Sequence, residues 1–214
     1  MQENDDDQIA KGFDRGVDFE DMKQRLIDKY EEIYGFIGTL DTNDKTTFRI
    51  NINKLIYLHV AMTQLKNGSR ISEACKAFRL FIKNKNFMDK VVVKISKSEC
   101  IKYKKETKEM FVTKRRNRQM KYPSDWVFLD YEKSMEKNLD GIDNDHLQQR
   151  VLDFMLKNFQ CNTHSLRYSF INYMLFVKKK EMALVAKFVG HTDVNNIVRY
   201  TQTKNLDHMF DMDI

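Results

Sequence analysis

Between Thr163 and Thr203 the chain reads THSLRYSFINYMLFVKKKEMALVAKFVGHTDVNNIVRYTQT, which sets His164 three residues before Arg167, pairs Gly190 with His191, and pairs Arg199 with Tyr200. His164 and Arg167 at i and i+3 project from one face of a helix start. The free N–H groups at such a helix end favour an anion. A guanidinium matches two phosphate oxygens at once and stays charged. A phenol, with an ordinary pKa near 10, is a poor nucleophile at neutral pH and needs a neighbouring base or cations. The chemistry available to this set is a grip on a phosphodiester and attack on it by a tyrosine. Taken singly, each of these motifs is also what an ordinary surface pair looks like; their order and spacing carry the argument.

The elements that must position these groups are mostly helical. Met22, Leu26, Tyr30, Ile33 and Ile37 recur at helical spacing, so a helix is predicted from Phe19 to Ile37. Residues 40–47 form a polar connector. Leu55, Leu58, Met62 and Leu65 mark a second helix that stops at Asn67-Gly68. Ser69 is placed to cap a third, with the stripe Ile71, Ala74, Cys75, Phe78, Phe81 and Ile82. The pattern changes at residue 90, where KVVVKIS is β-branched and reads as a strand, and EMFVT at 109–113 as another. The lysine-rich KSECIKYKKETK between them is a long hairpin connection, partly strand itself in one reading, and KRRNRQMKYPSDW is loop. Helical spacing returns in Leu147, Val151, Met155 and Phe159, in Leu166, Phe170, Met174 and Val177, and in Met182, Val185, Ala186 and Val189, which stops at Gly190. A last helix is expected from about Asp193 through Tyr200. The fold class that follows is mainly α with a small antiparallel β-sheet.

At 214 residues the chain can bury one good core. A hydrophobic content of 42% fits a folded protein, and no apolar run approaches the ~18 residues of a membrane span. Residues 1–17, with Asp5, Asp6 and Asp7, read as a flexible acidic tail and not as a signal peptide. Cys75, Cys100 and Cys161 lack CxxC spacing and cannot all pair, which points to a reduced, intracellular protein with no zinc site. Charge is concentrated: from Lys83 to Lys121 there are 14 Lys or Arg against 4 Asp or Glu, a local +10, so against a total of +6 the rest sums to −4. Such a block suits a polyanion at one surface. It would equally serve as a solvated lysine-rich face.

Gly68-Ser69-Arg70-Ile71-Ser72-Glu73-Ala74 resembles the segment bearing the first catalytic arginine of tyrosine recombinases, the phage-integrase family. HSLRYSF resembles that family's His-x-x-Arg box, and VAKFVGHTDVNNIVRYTQ its closing box, where the Gly-His turn precedes the nucleophile by nine residues. The wording is nearest to integrases of archaeal viruses and plasmids, and the likeness runs from about Phe19 to Phe210. The resemblance implies the tyrosine recombinase catalytic-domain fold over 18–214. It implies Arg70 and Arg167 as clamps on the scissile phosphate, His164 and His191 as hydrogen-bonding and proton-transfer groups, and Tyr200 as nucleophile. It also implies a hairpin lysine as general acid toward the leaving 5′-oxygen. Lys97 is best spaced for this, with Lys105 and Lys108 open as alternatives. Glu73 is placed either to orient Arg70 or simply to solvate its helix.

Fixed guanidinium donors stabilise the charge that builds on the non-bridging oxygens during phosphoryl transfer. Four cationic or hydrogen-bonding side chains then do what metal ions do in many nucleases, so the resemblance calls for no metal and no cofactor. Its partner is double-stranded DNA, with Lys94, Lys104, Lys105, Lys108, Lys114, Arg115 and Arg116 of the basic block on the backbone. Self-association on DNA, as a dimer or tetramer, and an intracellular, DNA-associated location follow in the same way. Two departures stand out. Fewer than 40 residues precede the part that resembles a catalytic domain, where typical members carry a core-binding domain of roughly a hundred. Tyr168 follows Arg167 where bacterial relatives often have histidine. The expected function is site-specific cleavage and rejoining of DNA through a 3′-phosphotyrosine. The alternatives are a nicking-closing enzyme like type IB topoisomerases, or a DNA-binding accessory protein.

Overall fold

The computed structural model describes residues 17–41, 43–85, 90–94, 101–103, 110–112, 117–123, 131–191 and 194–198. Helix α1 (Phe19–Gly38) starts where Asp18 accepts from the backbone N–H groups of Glu20 and Asp21. Its buried face is the stripe seen in the sequence, extended to Phe19. Helix α2 (Lys45–Asn67) is the hub, and residues 51–67 are buried on nearly every side. This is why it shows little amphipathic contrast. Around it pack α1, α3 (Ile71–Asn84), α4 (Glu132–Asp140), α5 (Asn144–Phe159) and α6 (Thr163–Asn172). The chain then makes a π-helical turn (Tyr173–Val177), followed by α7 (Met182–Val189) and the short α8 (Asn195–Val198). None of the described helices is long and apolar enough to cross a membrane.

Helix α2 ends on Gly68 in the left-handed conformation (φ 55°), with the Ser69 N–H returning to the Gln64 carbonyl at 3.2 Å. A Cβ on Gly68 would lie 2.2 Å from Cδ1 of Phe170. Left-handed strain and overpacking act together there, so Gly68→Ala should destabilise the fold by about 2–4 kcal/mol. An unchanged urea midpoint would refute this.

The sheet differs from expectation. KVVVKIS does supply a strand, β1 (Lys90–Lys94), but its partner is β4 (Asn117–Lys121), inside the segment read as loop. The pairing is antiparallel from Lys90 opposite Lys121 to Lys94 opposite Asn117. The second strand, in EMFVT, is present as β3 (Met110–Val112), yet it pairs with β2 (Ile101–Tyr103) in a separate two-stranded ribbon. Strand β4 escaped notice because its inward residues are Arg118 and Met120, and a buried arginine does not look like a core position.

Three further corrections have local causes. Arg70, not Ser69, occupies the N-cap of α3, because Ser69 is still committed to the Gly68 turn. Helix α4 offers only Met135 and Leu139 as an apolar pair, too few for a periodic signal, and is fastened by Arg79, which donates to the carbonyls of Leu139 (2.8 Å) and Ile142. The helix expected to continue through Val177 turns π-helical at Tyr173, whose ring stacks on Phe19 at 4.2 Å while its hydroxyl donates to Glu20. Of the acidic tail expected over 1–17, residues 1–16 lie outside the described residues.

His59 is a structural residue. It is buried on α2 between the hydroxyls of Tyr30 (3.3 Å from Nε2) and Tyr122 (2.8 Å from Nδ1), stacked on Phe78. Burial pushes its pKa down to about 3. Unfolded, a histidine titrates near 6.5, so between pH ~6.5 and 3 the unfolded chain binds the extra proton. Stability is therefore full above pH ~6.5 and should fall by about 1.4 kcal/mol per unit as pH drops through this window. Denaturant melts at pH 7, 6, 5 and 4 check the slope, and a flat profile would contradict it.

Candidate active site

Two helix ends and one helix start deliver the site. The Gly68 turn leads directly into Arg70 at the start of α3. A second glycine turn at Gly190 (φ 78°), closed by the His191 N–H to the Ala186 carbonyl at 2.9 Å, leads into His191. Helix α6 begins at Thr163, capped by Asn162, which accepts from the Ser165 N–H, so His164 and Arg167 fall in its first two turns. Gln64 holds two of these pieces in register. Its buried amide nitrogen donates to the carbonyl of Ser69 (3.1 Å) and to that of Thr163 (2.7 Å), each one residue ahead of a site residue.

Arg167 forms the floor, with 1% of its surface exposed. One terminal nitrogen donates to the Gly68 carbonyl at 2.6 Å; the other donates to the Val189 carbonyl at 3.0 Å and lies 3.0 Å from Nε2 of His191. A guanidinium only donates, so Nε2 of His191 accepts and the ring proton sits on Nδ1. Burial, then the charges of Arg167 and Arg70, push the His191 pKa down to about 4, which keeps the ring neutral at pH 7. His164 stands edge-on to Tyr168 at 5.2 Å and within electrostatic reach of His191.

Glu73 is completely buried and does what one of its two sequence readings proposed. One carboxylate oxygen accepts from the Arg70 guanidinium at 3.1 Å, and the other accepts from the Arg70 backbone N–H at 3.3 Å. That second oxygen also accepts from Arg118 at 3.3 Å, a residue the sequence reading did not single out. Arg118 stays protonated, although burial lowers its pKa to about 10. Arg70 and Arg118 thus share one carboxylate, and Arg167 lies beside them on the Gly68 and Val189 carbonyls. Two cations on one buried carboxylate leave positive charge at this place for an anion to meet.

Beside this cluster, an open groove of about 980 Å³ reaches His191 and Arg118, with Lys66, Lys90, Lys121 and Lys187 along it and no Asp or Glu among its described lining. Of the expected catalytic set, Arg70, His164, Arg167 and His191 lie at one place in the fold, and Lys97 and Tyr200 lie outside the described residues. Lys94 is exposed at the end of β1, whereas Lys104, Lys105, Lys108, Lys114, Arg115 and Arg116 also lie outside them. Two residues that organise the site, Gln64 and Arg118, had no recognisable motif. The only trace in the sequence was that Arg118 alternates in phase with Met120.

No family model matches the chain, and no solved structure matches it. Two viral proteins do. One named "Putative integrase V10", from Sputnik virophage, is 44% identical over 210 residues, covering 97% of this chain and 92% of its own length. Another named "Putative integrase ORF241", from Acidianus two-tailed virus, is 29% identical over 201 residues, covering 94% of this chain and 68% of its own. On the identity and coverage shared with the virophage protein, the chain belongs to the viral integrase family that includes it.

Proposed function

We propose that this integrase-family chain is a site-specific recombinase of the tyrosine type, which cuts and rejoins double-stranded DNA through a 3′-phosphotyrosine bond. The observation that carries the reading is the cluster in which Arg70 and Arg118 share Glu73 and Arg167 lies alongside, assembled from segments far apart in sequence. A phosphodiester supplies the negative charge that cluster lacks, and donors fixed in advance stabilise the charge that grows in the transition state. Arg70 and Arg167 hold the non-bridging oxygens. His164 and neutral His191 donate hydrogen bonds and pass protons.

The phenol of Tyr200 gives its proton to His164 as its oxygen attacks phosphorus, and the bond to the 5′-oxygen breaks. The departing oxygen takes a proton from a hairpin lysine, Lys97 first, with Lys105 and Lys108 as alternatives, and leaves as a 5′-hydroxyl. Religation reverses these steps, so the bond energy is conserved and the chain's own residues suffice. Lys94 and the basic residues at 104, 105, 108, 114, 115 and 116 track the DNA backbone. Copies of the chain assemble on the two sites they exchange. The test is a duplex nicked close to the cleavage point, on which cutting traps the enzyme. An SDS-resistant adduct mapped to Tyr200 supports the reading, and its absence across duplexes carrying the element's end sequences overturns it. Plasmid relaxation without strand exchange would move the reading to a nicking-closing enzyme.

A further inference from the structure

Arg118 touches both glycine turns and the buried carboxylate of the proposed site. From β4 its one terminal nitrogen donates to the Asn67 carbonyl at 2.6 Å, and Gly68, the next residue, gives its own carbonyl to Arg167 at 2.6 Å. The other terminal nitrogen lies 3.5 Å from the Val189 carbonyl, the same oxygen that accepts from Arg167 at 3.0 Å. Arg118 and Arg167 therefore brace the same two pieces of backbone, one leading to Arg70 and the other to His191. The same nitrogen of Arg118 reaches Glu73 at 3.3 Å, while the other oxygen of Glu73 holds the Arg70 guanidinium. By taking a share of that carboxylate, Arg118 fixes Glu73 and leaves Arg70 only part-neutralised.

The strand that carries Arg118 is itself fastened to the turn. The Asn67 amide donates to the Lys121 carbonyl at 2.8 Å, and its oxygen accepts from the Lys121 N–H at 3.0 Å, so the side chain acts as a short extra rung beside β4. Because β4 pairs with β1, the two strands bracketing residues 95–116 are locked to the helical half of the site through this joint.

We infer that Arg118 is a positioning residue for the DNA-cleaving step, which holds the Arg70 and Arg167 guanidiniums and His191 in one arrangement and ties the basic β-segment to them. The inference rests on the tyrosine-recombinase reading. It gives Arg118 a role distinct from DNA affinity, since its guanidinium is buried and both terminal nitrogens are taken by protein oxygens. Displacing a clamp by about 1 Å costs a reaction on the order of a hundredfold while scarcely affecting binding.

The experiment measures adduct formation on the nicked duplex at enzyme excess, and DNA affinity separately, for the full chain with Arg118→Gln and Arg118→Lys, each checked by thermal unfolding. Arg118→Gln should form adduct about a hundredfold more slowly, with DNA affinity within about threefold of the parent. Arg118→Lys keeps the charge beside Glu73 but cannot span both carbonyls, and should recover roughly tenfold of that loss. If Arg118→Gln does not fold, Arg118→Lys decides alone, at about tenfold slower with unchanged affinity. A variant that reacts at the parental rate overturns the inference, and so does one whose rate and affinity fall together. If the parent chain itself forms no adduct, the functional reading fails first and takes the inference with it.

Discussion

Tyr200→Phe should eliminate the covalent adduct with DNA, a loss of at least about 10⁴-fold, while DNA affinity stays within about threefold of the parent. Phenylalanine keeps the ring and removes only the oxygen that would bond to phosphorus. Among the described residues the neighbouring groups are otherwise engaged, because Arg70 and Arg167 are held as donors and His191 accepts from Arg167 at 3.0 Å. Affinity is set by contacts to the phosphate backbone, where a single neutral hydroxyl counts for little. Gel-resolved SDS-resistant complexes and a filter-binding titration on the same duplex read the two quantities separately. Equal trapping of the variant and the parent would remove Tyr200 from its role, and a parallel loss of affinity would recast it as a binding residue.

Glu73→Gln should lower the unfolding free energy by about 3–5 kcal/mol, an effect out of scale with most ion pairs. Exposed pairs such as Lys29 with Glu32, at 2.7 Å on the surface of α1, are worth under about 1 kcal/mol, because water screens both partners. Glu73 is different in kind. It is fully buried, meets Arg70 at 3.1 Å and Arg118 at 3.3 Å, and also receives the Arg70 backbone N–H. At an effective dielectric of ~20, a pair at about 4 Å interacts by ~4 kcal/mol, and here one carboxylate serves two cations. Glutamine keeps the shape but removes the charge, leaving the buried Arg118 and the part-buried Arg70 without their shared counter-ion. Urea unfolding measures the change, and a shift below about 1 kcal/mol would mean that water or a bound anion already neutralises the cluster. Added inorganic phosphate should restore part of the lost stability, since an anion binding only the folded state stabilises it by mass action.

Most helices were legible because a stripe of buried residues is a local property. Met22, Leu26, Tyr30, Ile33 and Ile37 face inward in α1 as their spacing required, and Ile71 through Ile82 formed α3 as read, with Ile71 itself only partly buried. Asn67-Gly68 and Gly190 were legible stops for the same reason, since glycine takes a left-handed helix end at least cost, whereas the left-handed ends at Lys85 and Gln160 carry no such mark. Strand β4 was not legible. Its register depends on β1, and its inward Arg118 is acceptable only because Asn67, Glu73 and Val189, distant in the chain, supply oxygens to it. Helix α4 was missed because two apolar residues, Met135 and Leu139, make no period.

By itself the sequence determined which residue types are available, on which helix ends they fall, and that basic charge gathers between Lys83 and Lys121. It left Glu73 with two readings and Arg118 with none. The tertiary structure decided that Glu73 is the buried counter-ion of two arginines, that Arg167 lies on the floor beneath His191, and that Gln64 joins the Ser69 turn to the start of α6. The physical reason is range. Helix periodicity and capping are settled within a few residues, whereas a buried charge is satisfied only by oxygens that folding brings from elsewhere in the chain.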